Sequence, residues 1–205
     1  MIKTLIFDFG DVFINLDKPA IERSLNILGV CSITNEMLET AISYEKGLIT
    51  TIEFITSFMK KFPTISSEEF TKSWNSIILD FPEYRLNFIE HLASLKKYKL
   101  ILLSNTNALH IEQVIENMSL GRYLRFKNCF DKFYLSHEIK LRKPEHSIYE
   151  FVLRDNNLNP KNCLFIDDTK ENTDAAKKLG ISTWNNNPKK EDVINLFNNP
   201  LLKNY

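Results

Sequence analysis

Four short apolar runs, each stopping at a polar residue, constrain this chain more than any other feature. Leu5, Ile6 and Phe7 end in Asp8. Residues 100–103 (Leu, Ile, Leu, Leu) end in Ser104, Asn105, Thr106 and Asn107. A weaker run at 132–135 precedes a polar loop containing Arg142, Lys143 and Pro144, and the run at 163–166 ends in Asp167 and Asp168. Such runs are too short for helices and suit strands buried on both faces. Helical patterns separate them: 85–97 with Leu86, Ile89, Leu92 and Leu95 inward, a helix after Asn107 with Ala108, Ile111, Val114 and Ile115, and another over 147–154. Ala175, Ala176 and Leu179 pattern a further helix, with Lys177 and Lys178 in its last turn and Gly180 closing it. Residues 181–184 read as a last strand and 191–197 as one more helix. The alternation predicts an α/β fold: a right-handed, mostly parallel sheet with helices on both faces, a three-layer Rossmann-like core.

Between about 21 and 80 the texture is helical only. Phe54, Phe58 and Phe62 fall at i, i+4 and i+8, and Phe70, Trp74, Ile77 and Ile78 make a second stripe behind the helix-start signal Ser66, Ser67, Glu68, Glu69. Helix–helix core is the expected use of these aromatics. The expected division is a core of 1–15 and 86–205, with a small helical bundle, 16–85, inserted after the first strand.

Composition narrows the class. Of 205 residues, 43% are hydrophobic, which suffices for a packed core. Lys plus Arg and Asp plus Glu are both 26, so the basic surplus of a nucleic-acid binder is missing. Cys31, Cys129 and Cys163 lack metal-ligand spacing and read as thiols of a reducing compartment. Neither a signal peptide nor a membrane span is expected, which predicts a soluble, cytoplasmic protein, monomeric or homodimeric, with no nucleic-acid or membrane partner.

In a parallel sheet the polar strand ends lie along one edge, so Asp8, the Ser104 segment, Lys143, Asp167 and Asp168 converge. Three carboxylates in one place repel unless a cation joins them. An all-oxygen donor set suits Mg²⁺. The Ser104 hydroxyl, the amides of 104–106 beside a helix N-terminus and Lys143 favour an anion. A carboxylate nucleophile, a metal, an anion cradle and a lysine together describe phosphoryl transfer.

These segments resemble the haloacid dehalogenase superfamily of hydrolases: Asp8 to Val12, Leu102 to Asn107, Arg142-Lys143-Pro144, and Phe165 to Thr169 with Asn172, in that order. The insert resembles that superfamily's C1-type cap, with Glu45, Lys46 and Gly47 in place of its Glu-x-Gly signature. Within the superfamily, the first motif, Trp74-Asn75 and residues 104–107 are most similar to the bacterial sugar-phosphatase branch that includes α-glucose-1-phosphate phosphatases. The resemblance implies Asp8 as nucleophile and Mg²⁺ ligand, and a metal-facing carbonyl at Gly10. It implies phosphate contacts from Ser104, Asn105 and Lys143, metal binding by Asp167 and Asp168 with Asp168 the direct ligand, and a loop-ordering role for Asn172.

One departure matters. The family's phosphatases carry a second Asp two positions after the nucleophile, as general acid and base, and this chain has Gly10. Such help is typically worth about 10²–10⁴ in rate. Asp11 and Asp17 are the nearby substitutes. The gap suits an activated ester, and a sugar 1-phosphate is the expected example. Mg²⁺-dependent hydrolysis of a small phosphorylated metabolite through an aspartyl-phosphate is therefore expected. A catalytically silent binding module and a 2-haloacid dehalogenase are the alternatives. Glu45 and Trp74 are candidates for substrate choice, while His110 has no assigned role.

Overall fold

The computed structural model describes residues 1–202. Its sheet has five parallel strands: β1 (Thr4–Phe7), β2 (Lys99–Ser104), β3 (Lys132–Leu135), β4 (Cys163–Asp167) and β5 (Ser182–Asn185), in the order β3-β2-β1-β4-β5. The strands alternate faces, as a period of two requires. Leu5, Phe7, Leu100, Leu102, Leu164 and Ile166 point into one hydrophobic cluster, with α5 (Glu83–Ser94), α6 (Ala108–Met118) and α7 (Leu120–Lys127). Ile6, Ile101, Leu103, Cys163 and Phe165 point into the other, with α9 (His146–Asp155) and α10 (Lys170–Lys178). Each such fully buried side chain contributes about 1.5–3 kcal/mol of hydrophobic stabilisation. This is the expected α/β architecture.

Four helices fill the segment after β1: α1 (Ala20–Ile27), α2 (Asn35–Glu45), α3 (Thr51–Lys61) and α4 (Ser67–Asn75). Thr50 with Glu53 and Ser66 with Glu69 form capping boxes that start α3 and α4, so the signal at 66–69 does what its residue types suggest. The aromatic stripes become a separate core. Tyr44 stacks on Phe54 at 4.3 Å and Phe58 on Phe70 at 4.0 Å. Both stripes end earlier than their periodicity suggests. Phe62 is the residue that closes α3, and Ile77 and Ile78 lie beyond α4.

Ile77 and Ile78 belong instead to a crossing. The outgoing chain at 15–17 and the returning chain at 77–80 run antiparallel, joined by Asn15 N to Asp80 O, Asp17 N to Ile77 O and Leu79 N to Asn15 O. These backbone bonds carry the chain out of the sheet layer and back. Two short elements escaped the periodicity: α7, and a one-turn helix α8 (Ser136–Ile139) directly after β3. The C-terminal helix expected at 191–197 is a 3₁₀ helix over Val193–Asn198.

Candidate active site

Sheet topology assembles the site. Asp8 follows β1, Ser104 ends β2 and Asp167 ends β4, and β1 lies between the other two strands. The Asp8 amide still donates to Ile166 O at 2.8 Å, so the β1–β4 ladder holds Asp8 beside Asp167. Lys143 arrives from the loop after α8. Its ammonium sits 2.7 Å from Asp8 Oδ1 and 2.7 Å from Asp167 Oδ2. Lys143 is buried, and an unpaired buried ammonium would cost several kcal/mol, so these two carboxylates are what permit it there.

Asp167 is spoken for on every side. It accepts from Thr169 N at 2.8 Å, from Asn172 Nδ2 at 3.1 and 3.0 Å, and from Lys143. Asn172 is held in turn by Tyr149, whose hydroxyl donates to Asn172 O at 2.8 Å. Asn172 thus orders the loop through a carboxylate. Asp168 has no such backbone commitments, and its Oδ2 lies 2.5 Å from Lys18 Nζ.

Oxygens of Asp8, Asp167 and Asp168 come within 4.8 Å of one another. Burial, opposed by Lys143 and reinforced by Asp167 and Asp168, pushes the Asp8 carboxyl up to about 7. Burial also raises Asp168, against the pull of Lys18. At Lys143 burial works against the charge, yet Asp167 and Asp8 hold it above the ordinary lysine range. Carboxylates this crowded, with Asp8 and Asp168 reluctant to ionise, fit a hard divalent cation, which prefers oxygen donors. Asp8 and Asp168 have the free capacity to ligate. Asp167, already saturated, suits the supporting layer behind them.

The Ser104 hydroxyl is buried and makes one long contact, 3.5 Å to Asn105 O. Asn105 faces the Lys143 backbone, accepting from its N–H at 2.9 Å and donating to its carbonyl at 2.8 Å. The anion cradle expected from the amides of 104–106 is narrower than the sequence suggests, because Thr106 N–H donates to Ser136 Oγ at 2.9 Å.

A side chain at Gly10 would require Leu16 to turn aside. A Cβ there would stand 2.6 Å from Leu16 Cδ1. The two candidate replacements are placed differently. Asp11, in the left-handed region at φ 53°, accepts from Leu16 N at 3.0 Å and pairs with Lys18 at 3.0 Å. Asp17 turns away to a two-pronged pair with Arg23, whose hydrogen bond lowers its carboxyl below the ordinary range. Asp11 therefore reaches the rim of the carboxylate group, and Asp17 does not join it.

The helical insert touches the same edge. Glu45 pairs with Arg142 at 3.0 Å, and Glu45 O accepts from Ser136 Oγ at 2.6 Å. Gly47 (φ +60°) sits so near α8 that a Cβ would meet His137 O at 2.0 Å. A cavity of about 470 Å³ lies within the helical insert, lined by Met37, Phe54, Phe58 and Trp74 among others, and Lys18, Glu45 and Arg142 also line it; the carboxylate group itself does not. Trp74 also donates to Asn107 Oδ1 at 3.4 Å and stacks on His110. Burial pushes His110 down to about 4, so it is neutral and structural. Lys18 is the site residue that motif reading missed. It stands outside every strand end, and only the fold brings it over Asp168.

Comparison with known proteins agrees with this geometry. The family model described as haloacid dehalogenase-like hydrolase matches residues 5–185. A D-ribitol-5-phosphate phosphatase of Bacteroides thetaiotaomicron is 29% identical over 197 residues, covering 90% of this chain and 91% of its own. A crystal structure of a haloacid dehalogenase family enzyme from the same organism, in complex with magnesium and inorganic phosphate, is 36% identical with a TM-score of 0.84, covering 96% of this chain and all of that one. A predicted hydrolase of this kind from Porphyromonas gingivalis is 28% identical over 90% of both chains, with a TM-score of 0.76. With its sheet order, its carboxylate-lysine group and a family match over most of its length, this chain belongs to the haloacid dehalogenase-like hydrolases.

Proposed function

We infer that this chain is a magnesium-dependent phosphatase of small phosphorylated metabolites, with Asp8 as nucleophile. The observation that carries the reading is the Lys143 ammonium, bridging Asp8 and Asp167 at 2.7 Å each beside a third carboxylate, Asp168. Mg²⁺, held by Asp8 and Asp168 with the Gly10 carbonyl, would neutralise charge on the phosphoryl group. Lys143 holds one Asp8 oxygen, which orients the other toward phosphorus. An Asp8 oxygen bonds to phosphorus as the ester P–O bond breaks, and the leaving oxygen departs with the electron pair and takes a proton from water, which the attacking water of the second step returns. Water then attacks the aspartyl-phosphate, releasing inorganic phosphate and restoring Asp8. Ser104 donates to the transferring group, and Asn105 acts by holding Lys143. Helices α1–α4 are the cap, spanning about 16–85, that covers the reaction.

A sugar or sugar-alcohol phosphate is the substrate class we favour. The similarity to a phosphatase named for a sugar-alcohol 5-phosphate supports it. The empty position at Gly10 supports the narrower preference for a sugar 1-phosphate, whose hemiacetal leaves with less protonation. The acidic pair Asp167-Asp168 favours phosphate over a haloacid. In the absence of membrane-length apolar helices among the described residues, a cytoplasmic place suits the three free thiols.

The test is phosphate release from ribitol 5-phosphate, glucose 1-phosphate, glucose 6-phosphate and an aryl phosphate, with Mg²⁺ or chelator, and with Asp8→Asn. Turnover abolished by both controls is expected. Equal rates on glucose 1- and 6-phosphate would remove the anomeric preference. Folded, Mg²⁺-loaded protein inert to the whole panel would favour a silent module, with Gly10 as the reason.

A further inference from the structure

Around the site four carboxylates, Asp8, Asp11, Asp167 and Asp168, face two ammonium groups, Lys18 and Lys143. With all four ionised, the excess of two negative charges matches one divalent cation. The two lysines differ in kind. Lys143 is sealed in, whereas the Lys18 side chain is 53% exposed and reaches the carboxylates from the crossing that leads to α1. Its ammonium lies 2.5 Å from Asp168 Oδ2 and 3.0 Å from Asp11 Oδ2. The contact with Asp168 takes up one of its two carboxylate oxygens, and the ammonium's positive charge beside that carboxylate opposes a second cation there. Lys18 also lines the cavity within the helical insert, as do Glu45 and Arg142, so it reaches from that cavity to the carboxylate group. A long, half-exposed lysine side chain has rotamers enough to reach either one.

We propose that Lys18 is a substrate-positioning residue that also competes with the metal: it occupies Asp168 in the metal-free site and, once displaced, presents its ammonium to the phosphorylated substrate in the cavity. The inference rests on the magnesium-phosphatase reading and adds one residue to it. It requires two effects of opposite sign from a single substitution. Removing the ammonium frees Asp168 for Mg²⁺, and it also deprives the loaded site of a cation for the substrate.

The experiment is calorimetric titration of MgCl₂ into wild type, Lys18→Met, Lys18→Arg and Lys170→Met, with steady-state kinetics at saturating Mg²⁺. Lys170 is an exposed residue of α10 paired with Asp174, so its loss controls for one missing positive charge. Lys18→Met should bind Mg²⁺ about three- to fivefold more tightly, the size of a half-exposed ion pair removed. Its KM should rise by a similar factor, with kcat changed less. Lys170→Met should match wild type, and Lys18→Arg should stay near wild type in both readouts. Unchanged or weaker Mg²⁺ binding by Lys18→Met overturns the proposal, as does an unchanged KM. If wild type turns over with Mg²⁺ while Lys18→Met simply tracks it, the proposal fails alone. If wild type neither binds Mg²⁺ nor releases phosphate, the phosphatase reading fails with it.

Discussion

The side chain of Asn105 and the backbone of Lys143 exchange two hydrogen bonds, at 2.8 and 2.9 Å, across 38 residues of sequence. This clamp fixes the root of the lysine whose tip joins Asp8 to Asp167. Asn105→Ala should lower kcat about 10-fold or more while KM moves less, because the lysine is misplaced rather than removed. Unfolding in urea should show a loss of roughly 1–3 kcal/mol, the cost of leaving the Lys143 backbone groups without partners. Unchanged kcat would show that the loop holds Lys143 without help.

Lys143→Met removes the charge but keeps most of the volume. Asp8 and Asp167 are then buried together with no internal cation, and the metal-free protein should lose about 3–5 kcal/mol. Mg²⁺ should recover part of that loss, since it supplies positive charge at the same carboxylates. Thermal melts with and without Mg²⁺ check both statements, and turnover should fall to background in either case.

Asp8 makes the metal-free fold pH-dependent in an unusual direction. Its carboxyl is raised from 3.8 to about 7, so across that window the folded protein keeps a proton that the unfolded chain has released. Stability therefore falls as pH rises from about 4 to 7, and the full penalty applies above 7. Asp8→Asn abolishes activity and removes the penalty. The whole penalty is about 4 kcal/mol, and the loss of the Asp8 charge beside buried Lys143 offsets part of it, so a net gain of order 2 kcal/mol should raise Tm above wild type at pH 8 by roughly 4–8 °C, with the two converging near pH 4. Wild-type melts that do not change between pH 4 and 8 in chelator would contradict the assignment.

Gly10→Asp restores the carboxyl that related phosphatases carry, but Leu16 occupies the space. Alone it should cost about 1 kcal/mol, the low end for overpacking, because the tip of partly buried Leu16 can turn aside. Paired with Leu16→Ala it should be better tolerated. If proton delivery limits the reaction, the double variant should gain at least about 10-fold on an alkyl phosphate, with little change on an aryl phosphate whose leaving group needs no proton. Equal gains on both would place the limit elsewhere.

Much of the fold was legible because strands and helices announce themselves by local pattern. The runs at 5–7, 100–103 and 163–166 are continuous and apolar since both faces of a central strand are covered. The ends of the helical stripes were less legible. Ile77 and Ile78 keep helical spacing but serve the antiparallel crossing, where tertiary hydrogen bonds to the 15–17 segment outweigh local preference. Helix α7 carries Tyr123 and Phe126 inward among charged neighbours, a signal too short to separate from the loop around it.

The sequence by itself determined which chemistry could gather at one edge. A carboxylate, a hydroxyl, a lysine and an acidic pair each follow a strand or its loop, and parallel strands put such ends together. Only the tertiary structure decided how those groups divide the work. Asp167 is saturated by Thr169, Asn172 and Lys143, Asp168 is left with capacity, and Asp17 is drawn off by Arg23. Lys18 enters the site with no motif to mark it, because its place depends on where the chain crosses toward α1. The pairs Lys18–Asp168 and Lys143–Asp167, at 2.5 and 2.7 Å, join residues 150 and 24 apart in sequence, and no local pattern encodes them.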